Sequence, residues 1–160
     1  MFDTIFGLPV HALVIHAVIV LVPLCSVSVV VMLASAVWRD HLRVPVLLLL
    51  LASVGSALVA KQSGEALRQR LGIKGDLIDR HVELGNAAPF IVLAFGVLYL
   101  VWFWFSRPGA AGAATAPGRL QVLLAATTIV GLVALGWIVA TGHAGSNTVW
   151  RDIVRSTNAG

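Results

Sequence analysis

The sequence predicts an all-α fold: an integral membrane four-helix bundle with a short C-terminal interfacial helix. Of its residues, 59% are hydrophobic and only 11% are charged, whereas roughly a quarter of the residues of a soluble domain are charged. The apolar residues fall into four long stretches. The alternating pattern of membrane β-strands is absent, and helices pair their backbone groups internally, as lipid requires. We expect residues 1–160 to form a single membrane domain that crosses the bilayer four times.

The first two spans follow from their length and their end signals. We expect the first at residues 9–37, which contain no Asp, Glu, Lys or Arg and exceed the roughly 20 residues that a span needs. Pro9 suits the start of a helix, where its missing N–H would have no partner. We expect the second span at residues 44–61. Its helical pattern extends to residue 71, and Gly72 is a suitable stop.

The third and fourth spans are separated by a Gly- and Ala-rich segment that is typical of a flexible linker. We expect the third span at residues 80–106, with Asp76 in a capping sequence that favours an earlier helix start. We expect the fourth at residues 120–141. Residues 146–156 place apolar side chains on one face, Trp150 among them. This pattern predicts an amphipathic tail at the membrane surface.

Four spans place the two termini and the loop near residues 61–80 on one membrane side, which we call side A. The two short loops then lie on the opposite side, side B. Four of the five histidines belong to side A, although they are far apart in sequence: His11, His16, His81 and His143. The sequence therefore predicts a histidine cluster on one face of the membrane.

Orientation follows from the flanks of the first span. No Lys or Arg precedes this span, whereas Arg39 and Arg43 follow it. Basic residues flank the cytoplasmic ends of spans, and the first helix often dominates. Side A carries more basic residues in total, but its acidic residues nearly neutralise them. We therefore expect a multi-pass protein of the inner (plasma) membrane, with side B in the cytoplasm.

The histidines of side A are candidates for cofactor or metal binding. Ionisable groups within spans are expensive and are functional candidates by default. His16, His81 and His143 come from three different helices, so they can ligate a transition metal, or two of them can be the axial ligands of haem b. The residues that would support this site are His11, Glu65 and Glu83.

The alternative is a non-enzymatic structural or accessory subunit whose polar cluster pins helix ends and docks a partner. Motifs of covalent haem attachment, of zinc proteases and of hydrolases are absent from the sequence. We predict no catalytic residue and expect that the protein is not an enzyme. A small transporter is a third interpretation, but the sequence has no inverted repeat. Expected partners are the lipid bilayer and a membrane redox protein or a second copy of the chain, but not nucleic acid.

Four segments carry a resemblance to a known family. They are residues 7–17 (Gly-Leu-Pro-Val-His-Ala-Leu-Val-Ile-His-Ala), Ser63-Gly64-Glu65, residues 81–85 (His-Val-Glu-Leu-Gly) and residues 142–145 (Gly-His-Ala-Gly) with Val149-Trp150. In this order they resemble the bacterial membrane-protein family called domain of unknown function 2231, and its actinobacterial branch most closely. The resemblance implies a four-helix membrane domain with polar motifs at the helix ends on one face. It implies no reaction, although some members are associated with redox proteins.

Overall fold

Four long helices form the protein in a computed structural model, which describes residues 4–72, 75–107 and 117–157. The described part of the chain starts with a small antiparallel hairpin in which β1 pairs with β2. The elements are β1 (Thr4–Ile5), β2 (Leu8–Pro9), α1 (Val10–Ala34), α2 (Ala36–Leu71), α3 (Asp76–Phe105) and α4 (Pro117–Thr157). All four helices are long and apolar enough to cross a membrane. The predicted all-α architecture with four spans is confirmed.

Helix ends match the sequence signals at several points. Pro9 is the residue immediately before α1. Gly72 ends α2 in the left-handed conformation, with φ of 62°, and its N–H donates to the carbonyl of Arg68. The third helix begins at Asp76, earlier than the apolar stretch, as expected, but Gly75 is its N-cap and no side chain caps it. Glycine is suited to the position after α2 because it has no Cβ to clash in the left-handed region.

The connection between α1 and α2 is shorter than the sequence predicted. Ser35 alone separates the two helices in an extended conformation, and its side chain accepts a hydrogen bond from the N–H of Trp38. The segment 38–44, which we expected to be a loop, is therefore the first part of α2. The hydropathy of the sequence does not reveal the break between α1 and α2. A serine can lie inside a helix or cap the start of a new helix with its hydroxyl, and the apolar pattern is the same in both cases.

The C-terminal segment also differs from expectation. The fourth span was predicted to end at residue 141, with a separate interfacial tail at residues 146–156. Instead, α4 runs without interruption from Pro117 to Thr157. The exposed apolar residues of the tail, such as Trp150 and Ile153, are thus carried on an extension of the fourth span.

The outer surface of the bundle is apolar, as lipid contact requires. Large apolar side chains on each helix point outward, with exposed fractions of 61% for Val20, 60% for Leu48, 66% for Phe90 and 70% for Val122. A soluble monomer rarely exposes such continuous apolar surface. The interior includes small polar groups. The hydroxyl of Ser26 is fully buried and lies 2.8 Å from the carbonyl oxygens of Val22 and Gly131.

Each helix packs against two neighbours in the ring α1–α2–α3–α4, so that α1 and α3 lie diagonally opposite, as do α2 and α4. The two hairpins α1–α2 and α3–α4 bury corresponding positions. Five of the seven buried residues of α1 have a buried counterpart 70 positions later in α3: Val18 and Ala88, Val22 and Val92, Cys25 and Phe95, Val29 and Tyr99, Met32 and Trp102. For α2 and α4 the offset is 81 positions: Val46 and Thr127, Leu50 and Gly131, Ser53 and Ala134, Ala57 and Ile138, Ser63 and Ala144. The bundle is therefore a pair of similar hairpins related by an approximate two-fold axis along its length.

Candidate functional site

His11 lies in the first turn of α1 and is held against the side-A part of α2. Its Nδ1 is 2.9 Å from the carbonyl oxygen of Ala60. One turn further along α2, Gly64 lies directly against the imidazole ring. A Cβ atom at Gly64 would approach Cε1 of His11 to 2.9 Å. The missing side chain of this glycine therefore makes the close approach of the ring possible.

His81 repeats this arrangement between α3 and α4. Its Nδ1 is 3.0 Å from the carbonyl oxygen of Thr141. Gly145, one turn further along α4, lies against the ring, and a Cβ atom there would approach Cε1 of His81 to 2.9 Å. Each imidazole thus joins the start of one helix to the adjacent helix of its own hairpin.

The two imidazole rings meet each other across the bundle. Their centroids are 6.4 Å apart and their planes are inclined at 76°. A backbone carbonyl can only accept, so Nδ1 must carry the proton in both histidines. In the neutral imidazole, Nε2 then has an unshared electron pair. A hydrogen bond from Nδ1 to a carbonyl is also the usual way in which proteins orient a metal-ligating histidine.

The pair obeys the same offsets as the buried core. His81 follows His11 by 70 positions. Gly145 follows Gly64 by 81 positions, and so does Thr141 after Ala60. We call His11, His81, Gly64 and Gly145 the histidine pair site. Because α1 and α3 are diagonal in the ring, the two imidazoles meet near the approximate two-fold axis.

The other predicted site residues lie elsewhere. His16 is exposed on α1, where its Nδ1 contacts the carbonyl of Ala12 in its own helix. His143 is exposed and lines a cavity of about 150 Å³ with Arg80 and Asn147. Within the described residues, no group of three or more His, Cys, Asp or Glu side chains is placed to hold a metal ion. The structure therefore does not bring His16, His81 and His143 together as one ligand set.

Of the three residues predicted to support the site, two are exposed and the third belongs to the histidine pair. Glu65 is exposed and forms an ion pair with Lys61 at 2.8 Å. Glu83 is exposed on α3. His11, in contrast, is the residue that meets His81. His11, which was expected only to support the site, is therefore one of its two central residues, and the two glycines that support the rings were not predicted. The signal that could have found them is the repeat of a histidine at a helix start and a glycine near the end of the following helix.

Comparison with known proteins agrees with this architecture. Residues 7–158 match the family described as predicted membrane protein (DUF2231). The chain belongs to this family. Together with the four apolar helices, the match makes this DUF2231 member a multi-pass membrane protein. Among curated proteins and solved structures, none is significantly similar to the chain.

Proposed function

We propose that this DUF2231 protein is a metal-binding accessory protein of the inner membrane, in which His11 and His81 hold one transition-metal ion on side A. The observation that carries the proposal is the meeting of two imidazoles, each oriented by a backbone carbonyl through Nδ1. Imidazole nitrogen suits copper, zinc, iron and nickel. The site is thus suited to storing or passing a metal ion, or an electron, at the membrane surface.

The spacing of the rings supports this proposal. Two imidazoles that share one ion through Nε2, at metal–nitrogen distances of about 2 Å, have centroids roughly 5 to 6.5 Å apart, with the largest separation for linear coordination. The observed separation is 6.4 Å, which matches the span of a linear two-coordinate ion, provided that both Nε2 atoms turn toward each other. Two neutral nitrogen ligands without a carboxylate favour an ion that accepts low coordination, such as monovalent copper, or an ion that keeps water ligands.

Haem b is the second candidate ligand, because two axial histidines from diagonal helices would span an iron at a similar distance. A ligand of haem size needs a cavity of roughly 300 Å³ or more. The cavity next to His143 has about 150 Å³ and is not lined by either histidine of the pair. Because α2 and α4 lie against the two imidazoles at Gly64 and Gly145, haem binding would require the helices to separate around the macrocycle, whereas a single ion would need far less space.

The alternative to a cofactor site is a structural one. Both imidazoles already connect neighbouring helices through carbonyl hydrogen bonds, each worth about 1 kcal/mol. In that case the pair pins the side-A helix ends, and the exposed polar surface around it docks a partner. Under this alternative the nitrogen Nε2 has no ligand to hold, and mutation would affect stability alone.

Metal content and absorption of the purified protein distinguish these functions. The protein would be purified in mild detergent without an affinity tag that binds metal, from cells supplied with iron and copper. We expect about one metal ion per chain, reduced at least tenfold in His11→Ala and His81→Ala. Because His16 and His143 are exposed and separate, His16→Ala and His143→Ala are matched controls that should retain the metal.

Three other outcomes of this experiment would each support a different function. A Soret band that is lost in both pair variants would identify haem b and reject the bare ion. Loss of metal in the His16 and His143 variants would restore the ligand set predicted from sequence. A folded, colourless and metal-free protein would leave the structural function, and the partner would then be sought by crosslinking from side A.

A further inference from the structure

A second polar site lies at the side-B end of the bundle, opposite the histidine pair site. Here the ends of α2, α3 and α4 enclose a cavity of about 250 Å³. We call it the arginine cavity, and it is lined by Arg39, Asp40, Arg43, Trp102, Ser106, Leu120 and Gln121. Two guanidinium groups and one carboxylate give it a net positive charge.

Part of each guanidinium is used within the fold. Arg39 donates through Nε to the carbonyl of Met32 at 2.9 Å, and so caps the end of α1. Arg43 donates through Nη2 to the carbonyl of Phe103 at 2.8 Å and lies over the Phe103 ring. These contacts fix both side chains in position. They leave other donors of both guanidinium groups for a further ligand, because arginine carries five N–H groups.

One donor of Arg43, distinct from those that face the cavity, is buried without a described partner. Nε of Arg43 is inaccessible to solvent and has no hydrogen-bond acceptor within the described ranges. A buried donor left unpaired costs about 1–3 kcal/mol, so such groups are rare in proteins. Neither Arg39 nor Arg43 forms an ion pair with Asp40 or with another described carboxylate. The excess of two guanidinium groups over one carboxylate favours an anion in the cavity, bound by the guanidinium N–H groups that make no contact within the fold.

We propose that the arginine cavity binds the phosphate of an anionic phospholipid headgroup. Arginine recognises phosphate oxygens through paired N–H groups, and basic pockets between transmembrane helices bind anionic headgroups. Exposed Trp38 and Trp104 mark the same end of the bundle as the membrane interface. The apolar outer faces of the helices provide the surface along which the acyl chains would lie.

The proposal is independent of the histidine pair and of metal binding. It concerns different helix ends, a different chemical group and the opposite membrane side. Arg119, which is exposed at the same end of the bundle and does not line the cavity, provides a matched control. Neutralising Asp40 should have the opposite effect to neutralising an arginine, because its carboxylate repels an anion in the same cavity.

Lipid binding would be measured by native mass spectrometry of the delipidated full-length protein in detergent. The probes are phosphatidylglycerol, phosphatidylcholine and inorganic phosphate. We expect phosphatidylglycerol to bind at least tenfold more tightly than phosphatidylcholine. Arg43→Gln should weaken this binding about tenfold or more, since it removes a charged donor. Asp40→Asn should strengthen the binding, and Arg119→Gln should leave it within about twofold of the wild type.

Several results would overturn the proposal. Equal retention of both lipids would show that no headgroup charge is recognised. Binding of inorganic phosphate that excludes phosphatidylglycerol would assign the cavity to a soluble anion. If Arg43→Gln does not fold, Asp40→Asn still decides, because unchanged or weaker phosphatidylglycerol binding in that variant contradicts an anion in the cavity.

Discussion

The two hairpins of this protein bury the same positions with different side chains. In the α1–α2 hairpin, the small Cys25 corresponds to Phe95 of the α3–α4 hairpin, and the large Leu50 corresponds to Gly131. Large and small residues have thus exchanged places between the helices of each pair. At the side-A end, however, the histidine and the glycine are identical in both hairpins.

The core positions and the histidine pair site are therefore under different constraints. A core tolerates an exchange of large and small side chains as long as the total volume is filled. An imidazole that must meet a second imidazole and contact a glycine backbone permits no such exchange. The side-B end shows the opposite behaviour, because Leu120 and Leu124 occupy the positions that correspond to Arg39 and Arg43. The histidine pair site follows the approximate symmetry, whereas the arginine cavity departs from it.

The largest effect on stability is expected from the aromatic residue that fills the second hairpin. Phe95→Ala should lower the free energy of unfolding by about 3 kcal/mol, which is the low end of the range for a buried phenylalanine. The loss is at the low end because, in the unfolded protein, this side chain is surrounded by lipid and not by water. Cys25→Ala, at the corresponding position, should cost about 1 kcal/mol. Unfolding in mixed SDS–detergent micelles, followed by circular dichroism, measures both. Equal losses would contradict the exchange of large and small residues.

The next effect concerns the glycine that faces Phe95. A Cβ atom at Gly131 would lie 2.8 Å from the Phe95 ring, so Gly131→Ala should cost about 2 kcal/mol through overpacking. The double variant Gly131→Ala with Phe95→Leu should recover part of this loss, because leucine leaves room for the methyl group. The same unfolding assay applies. Additive losses in the double variant would show that the two residues are not coupled.

A smaller and symmetric pair of effects is expected at the histidine pair site. Gly64→Ala and Gly145→Ala each bring a methyl group within 2.9 Å of an imidazole carbon. Each should lower stability by about 1–2 kcal/mol, and both should lower metal content to a similar extent. Gly55→Ala and Gly136→Ala serve as controls, since a Cβ there meets no atom within 4 Å. A loss in only one of the two site variants would break the proposed equivalence.

The smallest effect is expected from exposed ion pairs. The side chain of Lys61 is 28% exposed and that of Glu65 is 51% exposed, and the two residues lie one turn apart on α2. Replacing Lys61 with alanine should change stability by less than about 0.5 kcal/mol, with little change in metal content. The unfolding assay at low and high salt measures this effect. A loss above about 1 kcal/mol would indicate that Lys61 has a further partner on side A.

The sequence predicts the fold well because its strongest signal, the length of the apolar stretches, is local. Pro9 and Gly72 also mark helix ends through local backbone chemistry. The orientation of His16 could not be predicted, because α1 is apolar on all sides and gives no indication of which face turns inward. The helical course of residues 142–145 was missed because two glycines within four residues resemble a turn.

The meeting of His11 and His81 depends on how the two hairpins are placed relative to each other, and hydropathy does not encode this placement. An alignment of the sequence of the first hairpin with that of the second would have come closer to predicting this contact. The offsets of 70 and 81 positions relate the histidines and the glycines even before coordinates are known. The unpaired Nε of Arg43 could not be inferred from sequence, because it depends on which carbonyls the other donors of the guanidinium reach.

The most direct test of this account is the ratio of metal to protein after metal-free protein has been titrated with a single ion and freed of excess. Monovalent copper under reducing conditions is the first choice, with zinc as a second ion. The account predicts saturation near one ion per chain in the wild type and in His143→Ala, and no stoichiometric binding in the His11→Ala, His81→Ala double variant. Equal binding by the double variant and the wild type would contradict it.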